Sequence, residues 1–169
     1  MNTPHEETEA RIRALLEGED DWVAAMSTVA CELHHGFDHF HWTGFYRTVR
    51  PGHLKVGPYQ GGHGCLDIPF ERGICGAAAR TKATQDVPDV HARPEHIACS
   101  STTNSEVVVP VVAPSGEVVA VLDVDSDDQQ RFQRLMCLCW NACAASLANG
   151  TAHEPPPSFP VTERRFCRR

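Results

Sequence analysis

Three cysteines, Cys65, Cys75 and Cys99, are spaced C-x9-C-x23-C in the part of the chain richest in glycine and turn-forming residues. The gaps are too wide for the C-x2-C pairs of a structural zinc site. The N-terminus, Met1-Asn2-Thr3-Pro4-His5-Glu6-Glu7, is polar and acidic, so no secretory leader and no secreted disulfide framework are expected. What remains is thiol chemistry, in which one cysteine attacks and another resolves the oxidised product. A single free cysteine usually behaves as a small buried hydrophobe. That reading weakens for this trio, because each member sits in a polar or turn-rich setting.

A second set is acidic. Glu106 enters an apolar β run, and Asp123 and Asp125 leave the next one. Asp123 and Asp125 are two apart, so they share a strand face. If the two runs form a hairpin turning at Ser115-Gly116, Glu106 lies opposite Asp125 on that face. Three carboxylates at one place repel each other and call for a cation, either a divalent metal or an organic ammonium group. The plainer reading is that acids mark where strands meet solvent. It suits Asp125, beside Ser126-Asp127-Asp128, better than Asp123, which interrupts Val118-Val119-Ala120-Val121-Leu122. Trp42, Phe45 and Tyr46 flank the same sheet. Strand aromatics are ordinarily core, but aromatics over an acidic cluster also hold alkylammonium and thioether groups.

The ten histidines are scattered, and His34, His35, His39, His41, His53 and His63 share no ligand spacing with the cysteines. His91 and His96 share a segment with Cys99, where either could orient a substrate or assist a thiolate. Cys137, Cys139 and Cys143 fall on one helical stretch and read as packing residues; Cys167 reads as incidental.

The elements that must position these groups can be read from periodicity. Ile12, Leu15 and Leu16, then Val23, Met26, Val29, Ala30 and Leu33, predict helices over 5–17 and 21–35, the second capped near Asp20-Asp21. Residues 39–49 are aromatic and β-branched and predict a strand, and another begins at Leu54. Gly57 to Gly64 reads as a loop. A short extended piece at 66–70 precedes a short helix over 74–80 that carries Cys75 in its first turn. A brief strand follows at 85–90, and then a long loop from His91 to Ser105. The runs 106–112 and 117–124 form the hairpin, and 131–147 a closing amphipathic helix. The implied class is α+β: one domain over 1–148, a central antiparallel sheet with helices on one face, and a long loop at the site. Residues 149–169 are Pro-rich and then Arg-rich, a composition that predicts a disordered tail.

Composition narrows the function. Net charge is −7 and only two of fifteen basic residues are lysines, which argues against nucleic acid as a partner. No apolar run reaches the roughly 18 residues of a membrane span. A reducing cytoplasm is the simplest compartment for eight cysteines.

Several motifs, in order, resemble the free methionine-(R)-sulfoxide reductases, single-domain enzymes with a GAF fold. They are Trp42-Thr43-Gly44-Phe45-Tyr46, Gly57-Pro58-Tyr59-Gln60-Gly61, Cys65, Gly73-Ile74-Cys75-Gly76, Asp89-Val90-His91, His96-Ile97-Ala98-Cys99, Asn104-Ser105-Glu106 and Val121-Leu122-Asp123-Val124-Asp125-Ser126. The resemblance spans about residues 10–148. It implies that Cys99 is the nucleophile, Cys65 the resolving thiol and Cys75 an auxiliary thiol. It also implies that Glu106, Asp123 and Asp125 bind substrate, with Trp42 and Tyr46 as pocket aromatics. Ser100 stands where the family often has an acid, the acidic stretch at 127–132 is short, and the tail has no counterpart; these bear on how the site is covered.

The expected function is thiol-dependent reduction of free methionine-(R)-sulfoxide through a sulfenic acid and a disulfide, recycled by thioredoxin and NADPH. No bound metal or cofactor is required, and a homodimer is compatible with the sequence. The R preference rests on the resemblance alone. Two other classes fit parts of the pattern: a GAF-type small-molecule sensor without catalysis, and a metal-binding protein using the acids and thiols.

Overall fold

The computed structural model describes residues 3–97, 99–129 and 132. Helix α1 spans Pro4–Leu15 and begins in a capping box between Thr3 and Glu6. Helix α2 spans Trp22–Gly36; the Asp21 carboxylate accepts from the backbone N–H groups of Val23 and Ala24, both at 2.8 Å. Strands β1 (Trp42–Arg50), β2 (His53–Gly61) and β3 (Asp67–Pro69) precede helix α3 (Gly73–Thr81). Strand β4 (Gln85–Val87) leads into a 3₁₀ turn at Val90–Ala92 and a long loop. Strands β5 (Ser105–Val112) and β6 (Val118–Ser126) follow. All pairings are antiparallel, in the order β3-β2-β1-β6-β5-β4.

Helices α1 and α2 cover one face of the sheet. Ile12, Met26, Val29 and Leu33 pack there on Phe45, Val107, Val109, Leu122 and Val124. Helix α3 lies on the other face, where Ile74, Cys75 and Ala78 meet Tyr46, Leu54, Val108 and Val121. The one-face arrangement read from the sequence therefore describes α1 and α2, and α3 adds a layer opposite them. Covering both faces explains why Val107, Val108 and Val109 are buried in succession with no polar alternation. It also separates the aromatics of β1: Phe45 belongs to the α1/α2 core, while Trp42 and Tyr46 face α3.

The sequence reading ended the second strand too early. Residues 57–61 belong to β2, and Gly57-Pro58 forms a bulge opposite Phe45, between the pairs Gly44↔Tyr59 and Tyr46↔Val56. A bulge is where a strand tolerates proline, which has no N–H to give to the ladder. The hairpin loop is also longer than two residues, because the Ala113 N–H donates to the Glu117 carbonyl across Pro114-Ser115-Gly116. Gly116 takes φ +84° there. One further residue in β6 compensates: Val111 pairs with Ala120 and Val112 with Val118, so Val119 bulges out. The expected Glu106↔Asp125 register survives.

Phe132 is buried in the α1/α2 core. Apart from Phe132, the expected closing helix 131–147 with its three cysteines, and the 149–169 tail with Cys167, lie outside the described residues. Among the described residues, no helix is long and apolar enough to cross a membrane.

Candidate active site

The α3 face of the sheet ends in a pocket, partly open to solvent, where side chains of β1, β5, β6, α3 and the long loop converge. Its floor is acidic. Strand β6 brings Asp123 and Asp125, β5 brings Glu106 opposite Asp125, and β1 places Trp42 opposite Asp125 and Gly44 opposite Asp123. Glu106 and Asp123 are only 5% and 6% exposed, so the reading that these acids border solvent does not hold for them.

Aromatic rings form one wall. Trp42 stacks between Tyr46 and Tyr59, with centroids 5.6 and 5.4 Å away, and its indole N–H donates to the Gly62 carbonyl at 3.1 Å. Gly44 is required for this stack, since a Cβ there would come within 2.3 Å of the Tyr59 Cβ. Gly64 passes so close that its Cβ would sit 2.8 Å from the Tyr46 hydroxyl.

The thiols occupy two levels. Cys65 and Cys99 are joined in a disulfide at the rim, with Cα atoms 5.5 Å apart, Cys65 half-buried and Cys99 exposed. Cys75 is buried in the first turn of α3, and its Sγ donates to Asp123 Oδ2 at 3.3 Å. Burial, with Asp123 and Glu106 nearby, pushes the Cys75 thiol well up, so it stays protonated. Trp42, Tyr46, Cys75, Cys99, Glu106, Asp123 and Asp125 all line this one pocket, and Cys65 reaches it through its bond to Cys99.

Burial also raises all three carboxyls, and mutual repulsion raises Glu106 and Asp125 further. Asp123 is moved from 3.8 to about 7 by burial, against the opposing pull of the Cys75 hydrogen bond. Among the described residues, the buried Asp123 Oδ1 finds no hydrogen-bond partner. A floor of this kind holds protons when empty. It can surrender them to pair with an arriving cation, or donate one to an acceptor oxygen. Cys75 Sγ and one oxygen each from Glu106 and Asp123 lie within 4.8 Å of one another, a spacing that would also admit a metal ion after loss of the thiol proton.

The raised Asp123 carboxyl has a consequence for stability. The folded protein holds a proton between 3.8 and about 7 that the unfolded chain releases, so this group's contribution falls as pH rises across that window. The stability difference between wild type and Asp123→Asn should therefore decline from pH 4 to pH 8, on the order of a few kcal/mol. Urea unfolding of both proteins across that range checks it; a constant difference would mean that Asp123 titrates normally.

Two residues matter more here than their types suggested. Asn104 ties the long loop to the sheet: its backbone bridges Val90 and Ser126, its amide donates to the Asp127 carbonyl at 2.6 Å, and its side-chain oxygen meets His91 Nε2 at 2.9 Å. Of the two loop histidines, His91 is used in that tie. His96 turns into the pocket, with Nε2 3.7 Å from Glu106 Oε2. No local sequence signal separates those two fates.

A family model described as GAF domain matches residues 11–150. The free methionine-R-sulfoxide reductase of Saccharomyces cerevisiae is 39% identical over 127 residues, which cover 72% of this chain and 71% of that protein. The Escherichia coli free methionine-R-sulfoxide reductase is 37% identical over 119 residues, 70% of this chain and 71% of that one. The X-ray structure of the Neisseria meningitidis free methionine-R-sulfoxide reductase in complex with its substrate superposes with a TM-score of 0.80 at 35% identity, covering 88% of this chain and 90% of that chain.

Proposed function

Because this chain belongs to the free methionine-(R)-sulfoxide reductases, enzymes of the GAF-domain family, we propose that it reduces free methionine-(R)-sulfoxide to methionine with Cys99 as the attacking thiolate. The observation that carries the reading is the Cys65–Cys99 disulfide at the rim of a pocket floored by Glu106, Asp123 and Asp125. In the reduced enzyme Cys99 attacks the sulfoxide sulfur while a protonated acid of the floor donates to the sulfoxide oxygen. The substrate S–O bond breaks and its oxygen passes to Cys99 Sγ as the S–S bond of attack opens. The substrate sulfur gains the two electrons that Cys99 Sγ loses, methionine departs, and Cys99 is left as a sulfenic acid. Cys65 attacks Cys99 Sγ and water leaves, which closes the disulfide. An external dithiol, thioredoxin in a reducing cytoplasm, then takes over the oxidation and returns both thiols. The remaining acids pair with the substrate's α-ammonium, and Trp42 and Tyr46 pack on its thioether end.

The test is NADPH consumption in the presence of thioredoxin and its reductase, with free R and free S methionine sulfoxide supplied separately. Loss of NADPH with the R form alone is expected; none with the R form would sink the reading. The electrons come from the dithiol, so chelator-treated protein should retain its rate. A rate lost to the chelator and restored by a divalent metal would favour the metal-binding reading, which the spacing around Cys75 supports.

Cys75 takes a positional role in this scheme. Its buried thiol donates to Asp123 and is held from ionising, which suits an orienting group better than a redox thiol. Cys75→Ala should go on cycling with thioredoxin, with kcat/KM about tenfold lower for the lost charge-assisted bond. A variant that stopped after a single methionine per chain would return Cys75 to the redox path.

A further inference from the structure

We propose that His96 is the residue that recognises the α-carboxylate of the substrate, so that the pocket reads both charges of a free amino acid. The inference rests on the functional reading above. An acidic floor accounts for the ammonium but leaves the carboxylate of the same molecule without a partner. The ammonium nitrogen and the carboxylate carbon are held on one α-carbon, about 2.5 Å apart. A carboxylate partner must therefore stand next to the ammonium partner and on the pocket side of it.

His96 meets that condition. Its Nε2 lies 3.7 Å from Glu106 Oε2, beyond hydrogen-bond length but close enough for the two ends of an amino acid to fit against the pair. Among the described residues that line the pocket, His63 and His96 are the basic side chains. His63 is exposed in the turn after β2, whereas the His96 side chain is 13% exposed and faces the acids. The ring is set in place by its own loop: the His96 backbone N–H donates to the Arg93 carbonyl at 3.0 Å, and Ile97 packs over Gly73 at the start of α3. A neutral imidazole with its Nε2–H directed into the pocket donates to a carboxylate; burial, and then His91, hold the ring below its ordinary pKa, so the contact is made without a charge on His96.

The test compares free methionine-(R)-sulfoxide with its decarboxylated analogue, 3-(methylsulfinyl)propan-1-amine, which keeps the ammonium and the sulfoxide. Wild type should prefer the amino acid by about 10–150-fold in kcat/KM, the range of one hydrogen bond to a charged group. His96→Ala should lose that preference, to within about threefold, by losing rate on the amino acid alone; His96→Gln should keep part of it. A variant slowed equally on both compounds, or one that keeps the wild-type preference, would overturn the assignment. If both variants fail to fold, Cys99→Ser protein carries the test through the ring resonances of His96 in NMR spectra. The amino acid should shift them and the amine should not; rings unmoved by the amino acid would overturn the proposal. Absence of any wild-type reduction would count against the functional reading and is seen before any variant is made.

Discussion

Cys99→Ser is expected to abolish turnover, and Cys65→Ser to release about one methionine per chain and then stall with thioredoxin. Attack and resolution need different sulfurs. A serine hydroxyl at 99 is scarcely ionised at neutral pH and is a far weaker nucleophile toward sulfur than a thiolate, so the loss should exceed about a thousandfold. At position 65 the first step survives, because Cys99 still attacks and still becomes a sulfenic acid. Among the described residues, that acid then has no partner at disulfide distance: Cys65 is the residue whose Cα sits 5.5 Å from that of Cys99, while Cys75 is buried with its thiol on Asp123. Rapid-quench counting of methionine per chain, with mass detection of the sulfenic acid, checks both variants. Steady cycling by Cys99→Ser would remove Cys99 from the chemistry, and steady cycling by Cys65→Ser would mean that another thiol resolves.

The second large effect is on the substrate. N-acetylation of methionine-(R)-sulfoxide should lower kcat/KM by about a hundredfold. The floor acids lose an ammonium and meet a neutral amide instead. Had all three acids been fixed as ions, the penalty would be that of uncompensated buried charge. Their raised pKa values let them stay protonated, so the loss is limited to the charge-assisted bonds themselves, about 1.5–3 kcal/mol each. Glu106→Gln and Asp123→Asn should therefore slow the free amino acid strongly while changing the acetylated compound little. The two variants should keep their folds, because each swap nearly preserves volume. Equal losses on both compounds would mean that the acids serve only the sulfoxide oxygen; unchanged kinetics would leave them without a role in the reaction.

How much of this could be read from residues alone varied with how local the signal was. The pairing of Glu106 with Asp125 was legible because strand register follows from the turn, and it held even though the turn did not. The loop at Pro114-Ser115-Gly116 is one residue longer than its composition suggested, and the bulge at Val119 restores the count. A bulge has no signature in an all-apolar strand. The same blindness ended β2 too soon, since Gly57-Pro58 looks like a turn until Phe45 is seen opposite it. The position of α3 was not legible either. Its Gly-Ala sequence fits an exposed helix as well as a buried one, and its burial is what turns Cys75 from a reactive thiol into a proton-holding one. Cys65 and Cys99 stood out through their setting, but their pairing came from resemblance, because a separation of 34 residues carries no geometric information. Asn104 acts only through contacts with distant strands, and which of the two candidate histidines, His91 or His96, turns toward the acids became visible only once the sheet was assembled.

The most direct test is a single-turnover experiment. Fully reduced protein is mixed with excess free methionine-(R)-sulfoxide and no external reductant, then acid-quenched and analysed for methionine, free thiols and disulfide-linked peptides. The expected result is about one methionine per chain, the loss of about two thiols, and a linkage that joins Cys65 to Cys99. No methionine, or methionine accompanied by a disulfide that includes Cys75 and leaves Cys99 reduced, would contradict it.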